Sequence, residues 1–256
     1  MKNKLYILGI AFSTLLFCVS IFQVISHYVN AQKYTEDFVQ LAERVEQSEE
    51  NDGGVKDVHK GEQTSPLNRY LGLFRENNDM AGWISIEGTS VNYPVMFTPD
   101  RPDFYLNRSF EKEYSDYGVP YIAEHCDPIE PSDNLIIYGH HIKGGKMFGA
   151  LTDYTHKSFY NRHKIIRFDT LTEIAEYEVV AVFKTTVYDD SGFPYYLFSD
   201  AEKEEEFDEY IKECKDLALY DTGVSAKYGD KLITLSTCEY SAINGRLVVV
   251  AKKIVE

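Results

Sequence analysis

The sequence lacks the features that mark several protein classes. Its 256 residues include four cysteines, one tryptophan and eight prolines, and 26 basic residues stand against 41 acidic ones. Four cysteines without a CxxC pair are too few for a disulfide scaffold and predict no structural zinc site. The formal net charge of −15 disfavours contact with a phosphate backbone. The same acidic balance disfavours nucleic-acid binding. With 44% hydrophobic residues, the chain has enough apolar side chains to fold, so disorder of the whole chain is excluded.

The N-terminal segment lacks formal charge. Lys2 and Lys4 precede a stretch from Leu5 to Gln32 that holds no Asp, Glu, Lys or Arg and is dominated by Leu, Ile, Phe and Val through Val29. A bilayer core takes about 20 apolar residues as a helix, and N-terminal lysines favour a cytoplasmic N-terminus. The pattern predicts a single-pass anchor in the cell membrane with the rest of the chain extracellular. A cleaved signal peptide is the alternative, because Val29 and Ala31 are small residues at the positions that signal peptidase inspects.

Composition divides the chain into three parts. Residues 1–32 are the predicted membrane anchor, and residues 33–65 are predicted to form a stalk helix and a polar linker. The linker interpretation rests on Gln47 to Ser65, which has almost no apolar side chain and therefore cannot bury a core. Residues 66–256 are expected to fold as one catalytic domain that opens with a helix.

Short runs rich in β-branched and aromatic residues dominate this domain. Helical crossovers between them are mostly missing, so they predict a mainly β protein with a closed eight-stranded barrel. One helical insertion is expected between the sixth and seventh strands, where Phe207, Tyr210 and Ile211 share a face. Ser199 is its expected N-cap. The eight runs are Trp83 to Ile86, Val91 to Phe97, Pro120 to Glu124, Asn134 to His140, Lys164 to Phe168, Glu176 to Val187, Lys231 to Thr237 and Arg246 to Val255.

Three polar residues lie at the ends of predicted strands. Cys238 ends the run before it, Arg246 begins the next run, and His140 ends an earlier one. Thiol catalysis needs a thiolate, a group that moves protons and a donor for the oxyanion. If the last two strands pair as a hairpin, the Arg246 guanidinium returns near the Cys238 thiol. The three side chains are therefore expected to converge at one rim of the barrel.

The other cysteines and histidines of the domain have ordinary structural interpretations. A single cysteine is commonly a small buried hydrophobe, and Cys214 lies on the apolar face of the predicted helical insertion. Cys126 lies in a loop segment. His125 precedes Cys126, but two adjacent ligands without a second pair predict no metal site. His141 is interpreted as a surface residue.

The motifs taken together resemble those of the sortases, most closely class B. The segment Asn134 to His141 reads NLIIYGHH, Lys146 to Phe148 reads KMF, and Thr234 to Cys238 reads TLSTC, with Arg246 downstream. The KTT run that begins at Lys184 and the helical insertion also look like class B. The resemblance spans about Pro66 to the C-terminus and implies a sortase-like closed eight-stranded β barrel.

The resemblance implies a cysteine transpeptidase, classed with thiol proteases. Such an enzyme cleaves a C-terminal sorting motif of secreted proteins and joins the new carboxyl end to an amine of peptidoglycan or lipid II. By position, Cys238 would be the nucleophile that forms a thioacyl enzyme, and His140 the acid and base. Arg246 would stabilise the oxyanion or hold the substrate backbone.

Class B also implies a preference for an NPxTN-like motif. Ser236, Thr185, Thr186 and Tyr196 are the candidate substrate-binding residues, and the segment from about Tyr195 to Leu217 would form one wall of the groove. Thr185, Thr186 and Ser236 are each at least as compatible with an ordinary strand position in a barrel. No cofactor and no metal are implied, and the expected partners are sorting-motif proteins, the wall amine and the membrane, with no nucleic acid.

Three alternatives stay open on sequence alone. A hydrolytic cysteine protease shares the nucleophile chemistry and differs only in using water. A non-catalytic binding module on a membrane stalk would use the acidic surface to bind cationic partners. A pilin polymerase would use a lysine of another subunit, but no lid segment is evident in the sequence.

Overall fold

A computed structural model describes residues 2–52, 66–188 and 192–255. The chain divides into two compact units, residues 1–44 and 45–256. Helix α1 runs from Lys2 to Asp52 and makes up the described part of the first unit. The helix predicted after residue 33 is present, and it continues through the first six residues of the expected linker. The rest of that linker lies outside the described residues, and the three-part domain division stays a prediction.

The membrane anchor predicted for residues 1–32, and with it the single-pass location, is wrong. Among the described residues, none of the helices combines the length and the apolar character needed to cross a bilayer.

The second unit contains the barrel. Its helices are α2 (Pro66–Glu76), α3 (Lys157–Tyr160) and α4 (Glu204–Asp216), with 3-10 turns at Phe104–Asn107, Phe148–Thr155 and Tyr195–Leu197. The strands are β1 (Met80–Ser85), β2 (Asn92–Met96), β3 (Tyr121–Ile122), β4 (Asn134–Tyr138), β5 (His141–Ile142), β6 (Lys146–Met147), β7 (Ile165–Thr170), β8 (Glu176–Thr186), β9 (Leu232–Cys238) and β10 (Gly245–Lys253).

Eight strands close into one barrel in the order β1-β2-β3-β4-β9-β10-β8-β7, and β5 and β6 form a separate hairpin. The pairs β2–β3 and β4–β9 are parallel, and the other barrel pairs are antiparallel. Each of the eight predicted runs supplies one barrel strand. The prediction of a closed eight-stranded barrel is therefore confirmed.

Helix α4 is the predicted insertion between the sixth and seventh barrel strands. Its apolar face packs on the barrel, where Phe207 and Ile211 join a buried cluster with Phe183 of β8 and Val248 of β10. Fully burying a side chain of this size contributes about 1.5–3 kcal/mol. The helix begins at Glu204 with Lys203 before it, so the expected cap at Ser199 is wrong. Three glutamates in the first turn complement the helix dipole there.

Candidate active site

A cleft of about 270 Å³ opens where β4 and β9 end. The three chemistry-bearing residues predicted from the sequence all line it: Cys238 is the last residue of β9, His140 follows β4, and Arg246 is the second residue of β10. All three side chains are partly exposed. The other residues that line the cleft are Asp103, Leu106, Tyr121, Glu124, Tyr138, Gly139, Val187, Tyr188, Tyr195, Tyr196, Ser236 and Thr237.

Arg246 reaches the cleft because β9 and β10 form the expected hairpin. Their antiparallel ladder pairs Arg246 directly with Cys238. The hairpin closes with Glu239 N–H donating to Gly245 O at 2.9 Å. Directly opposed residues point to the same face with Cβ atoms about 5 Å apart, so the guanidinium and the thiol share one side of the sheet. Arg246 Nη1 also donates to Gly245 O at 3.0 Å.

His140 reaches the cleft through the parallel pairing of β4 with β9. Tyr138 pairs with Ser236 in the last pair of this ladder, and these two residues lie two before His140 and two before Cys238, respectively. Gly139 N–H donates to Ser236 O at 3.1 Å, and the Thr237 hydroxyl donates to Gly139 O at 2.8 Å. These two bonds carry the pairing past the end of the strand.

The imidazole of His140 is held by a main-chain carbonyl. Its Nε2 atom lies 2.7 Å from Leu106 O. A carbonyl oxygen only accepts, so Nε2 carries the hydrogen and Nδ1 is the nitrogen left to exchange a proton. Within the described part of the chain, no hydrogen bond joins Cys238 Sγ to His140. Catalytic hydrogen bonds of this kind are commonly long until substrate binds.

The candidate substrate-binding residues separate into two groups. Ser236 and Tyr196 line the cleft. Thr185 and Thr186 are not among the described residues that line it. The Thr185 hydroxyl accepts a bond from Phe193 N–H at 2.8 Å, which secures the chain just before Tyr196.

Two features of the cleft are not predicted by the sequence. The Tyr195 hydroxyl lies 2.6 Å from Ser236 Oγ, and both side chains are buried. Burial raises the pKa of Tyr195 to about 12, although the Ser236 bond and the Arg246 charge act in the opposite direction. Tyr195 is therefore a neutral phenol at physiological pH. Leu106 is the second feature, and no sequence signal indicates it because it acts through a carbonyl that every residue has.

The cleft carries charge of both signs. Asp103 and Glu124 supply carboxylates, and Arg246 supplies a guanidinium. In the described ranges, no group of three or more His, Cys, Asp or Glu side chains is arranged to hold a metal ion. The cleft brings together a thiol, an imidazole and a fixed positive charge.

Comparisons with known proteins agree with this geometry. Residues 84–254 match the family described as Sortase domain. The chain is 36% identical over 188 residues to Sortase B of Staphylococcus aureus (strain NCTC 8325 / PS 47), which covers 73% of this chain and 75% of that protein.

Solved structures show the same fold. The S. aureus sortase B–substrate complex superposes with a TM-score of 0.77 at 30% identity, covering 88% of this chain and 98% of that one. A sortase B complexed with triglycine superposes with a TM-score of 0.76 at 30% identity, with the same coverage of 88% and 98%.

Proposed function

This chain belongs to the sortase family of cysteine transpeptidases, and we propose that it cleaves an NPxTN-like sorting motif and transfers the acyl fragment to a peptidoglycan or lipid II amine. The observation that carries the proposal is that Cys238, His140 and Arg246 line one cleft, with Arg246 paired to Cys238 across the β9–β10 ladder. The class B assignment agrees with the sortase B relatives, and their substrate and triglycine complexes support a peptide donor and an amine acceptor.

In the acylation step, the Cys238 thiolate attacks the carbonyl carbon of the threonine in the motif. A carbon–sulfur bond forms and the carbonyl oxygen becomes an oxyanion, which the adjacent Arg246 guanidinium stabilises. The peptide carbon–nitrogen bond then breaks. His140, as the imidazolium, gives its Nδ1 proton to the leaving amine. The products are a thioacyl enzyme and a neutral imidazole.

In the transfer step, an incoming amine attacks the thioacyl carbon. The neutral His140 takes the proton that the amine loses, a new amide bond forms, and the carbon–sulfur bond breaks to release the thiolate. The carboxylates of Asp103 and Glu124 favour the approach of a cationic acceptor, which loses one proton to solvent before its neutral amine attacks. The substrate-contacting roles of Ser236 and Tyr196 are part of this proposal, because both residues line the cleft.

Intact-mass spectrometry of the full chain tests the proposal. The protein is mixed with NPxTN-type and LPxTG-type peptides, first without acceptor and then with triglycine. We expect a thioacyl adduct with the NPxTN-type peptide, absent in Cys238→Ala. Cys18→Ala is the matched control, because Cys18 is an exposed thiol outside the cleft, and this variant should still form the adduct.

The same experiment separates the alternatives. A peptide joined to triglycine identifies a transpeptidase, whereas a free acid in the presence of excess triglycine identifies a hydrolytic protease. If the folded wild type forms no adduct with either peptide, and the wild type and Cys238→Ala bind the peptides equally well, the chain is a non-catalytic binding module.

A further inference from the structure

His141, interpreted from the sequence as a surface residue, is partly buried and contacts the main chain of the proposed nucleophile. Its Nδ1 atom lies 3.0 Å from Cys238 O. Because a carbonyl only accepts, Nδ1 carries the hydrogen and donates it. The ring also lies against Tyr240, with ring centroids 5.0 Å apart. The donor is present in both the neutral Nδ1–H form and the imidazolium, so the contact does not depend on the charge of His141.

This bond is the third of three that join the His140 segment to the end of β9. Gly139 N–H donates to Ser236 O, and Thr237 Oγ1 donates to Gly139 O. Both of these bonds lie before His140 in the chain. The His141 bond lies after it and is the one that contacts Cys238 itself. His140 is therefore held on both sides against the strand that ends at Cys238.

The need for a side-chain bond follows from the strand lengths. The β4–β9 ladder ends at the pair of Tyr138 with Ser236, two residues short of Cys238. From there the chain turns into β5, which pairs with β6 and not with the barrel. A bond from the His141 side chain to Cys238 O joins this separate hairpin to the barrel rim.

We propose that His141 is a positioning residue for transpeptidation, which sets the placement of Cys238 relative to His140 by donating Nδ1–H to Cys238 O. The inference rests on the proposed function, since positioning matters only if Cys238 and His140 act on one substrate. The imidazole exchanges no proton with substrate. A misplacement of about 1 Å between reacting groups lowers the rate of a step about a hundredfold.

The chemistry of asparagine and glutamine supplies a sharp test. The Asn side chain carries its amide N–H on Cγ, at the same position as His Nδ1, whereas Gln carries its amide one carbon further out. His141→Asn therefore retains the donor, and His141→Gln displaces it. His141→Phe retains a ring against Tyr240 but has no donor. Tyr240→Ala removes the ring contact and leaves the bond to Cys238 O.

The experiment measures kcat and KM of the full chain with the peptide and triglycine. We expect kcat to fall about ten- to a hundredfold in His141→Phe and His141→Gln, with KM little changed. His141→Asn and Tyr240→Ala should stay within about threefold of the wild type. The proposal is overturned if kcat of His141→Asn falls as far as kcat of His141→Phe. It is also overturned if neither His141→Phe nor His141→Gln lowers kcat. A thermal melt of each variant identifies any that fail to fold, and the Asn–Gln pair decides the result if Phe does not fold.

A second readout needs no sorting peptide. Iodoacetamide alkylation of Cys238 is measured by peptide mass, with the exposed Cys18 of the same chain as the internal standard. A thiol held close to the His140 imidazole is more reactive than one displaced from it, because a neighbouring imidazolium favours the thiolate. We expect the ratio of Cys238 to Cys18 alkylation to fall in His141→Phe and His141→Gln and to be retained in His141→Asn. If the wild type turns over no peptide, the proposed function fails. A ratio that is equal in all four proteins rejects the role of His141 independently of turnover.

Discussion

Arg246 and Cys238 are direct partners across the antiparallel ladder of β9 and β10. A shift of this register by one residue would turn every side chain of one strand to the opposite face. The register is fixed at the hairpin end, where Glu239 N–H bonds to Gly245 O. Gly245 has no substitute there, because a Cβ atom would overlap Glu239 O. The position of the positive charge beside the thiol is therefore a property of the hairpin and not of the arginine side chain alone.

Replacing Arg246 tests the importance of that charge. We expect Arg246→Ala to lower kcat/KM about 10²- to 10³-fold, which is the usual cost of removing a donor to a developing oxyanion. Arg246→Lys should recover only part of the loss, because an ammonium on a flexible stem does not reproduce the planar donor geometry. Steady-state kinetics with the sorting peptide provide the measurement. An Arg246→Ala enzyme with unchanged kcat/KM would contradict the proposed role.

Gly139 allows the chain before His140 to pass close to Phe148. A Cβ atom at this position would lie 2.6 Å from both Cγ and Cδ2 of the buried Phe148 ring. We expect Gly139→Ala to displace His140 and lower kcat/KM at least about tenfold, with a loss of about 1–3 kcal/mol in unfolding free energy. Gly72→Ala is the control, since nothing lies within 4 Å of its added Cβ. Urea unfolding and kinetics on both variants check this, and a fully active Gly139→Ala enzyme would contradict it.

The buried hydroxyl pair of Tyr195 and Ser236 supports a double-mutant cycle. The two oxygens are 2.6 Å apart, so Tyr195→Phe leaves the Ser236 hydroxyl without this partner. We expect each single variant, Tyr195→Phe or Ser236→Ala, to lose about 1–3 kcal/mol of unfolding free energy. The double variant should lose less than the sum by about 1 kcal/mol, because the second change removes no further bond. Urea unfolding of the four proteins measures the coupling, and strict additivity would show that the pair contributes none.

Asp79 makes the free energy of unfolding depend on pH in the acid range. It accepts a bond from Tyr105 at 2.9 Å and pairs with Arg101 and Lys112, each at 3.0 Å. Partial burial acts to raise the pKa of Asp79. The bonds from Lys112 and Tyr105, with the nearby positive charges, outweigh it, and the pKa lies below the ordinary value of 3.8. A depressed pKa in the folded state stabilises the protein above the unfolded-state pKa, and this stabilisation is lost as the pH falls through the folded-state value.

We therefore expect the thermal midpoint of the wild type to fall more steeply than that of Asp79→Asn below about pH 4. Asp208→Asn, a change at an exposed residue of α4, should follow the wild type. Melting curves between about pH 6 and pH 2.5 provide the comparison. If the midpoints of the wild type and Asp79→Asn fall in parallel, Asp79 does not contribute to the loss of stability in acid.

The local elements of the fold are predictable because each leaves its own periodicity in the sequence. The runs that became β4, β8, β9 and β10 are bounded by turn residues, and α4 shows a helical apolar face. The family was also identifiable, since the NLIIYGHH and TLSTC motifs agree with the Sortase domain match. The expected anchor was wrong, since none of the helices in the described part of the chain meets the requirements of a membrane span. The expected helix cap at Ser199 was wrong because a good capping residue does not fix where helical pairing starts.

Tertiary pairing decided what surrounds the candidate residues. The parallel register of β4 with β9 joins segments about a hundred residues apart, and no local pattern encodes which two strands become neighbours. That register brings His140 and Cys238 to the rim of one cleft. Leu106 O contacts the His140 ring, and His141 Nδ1 contacts Cys238 O. Composition and periodicity are local, so the amino-acid sequence alone was enough to indicate the candidate residues of the site and the runs that form strands. Only the closed barrel decided the partners of those residues, because a main-chain carbonyl or a cross-strand register exists only once distant segments have packed together.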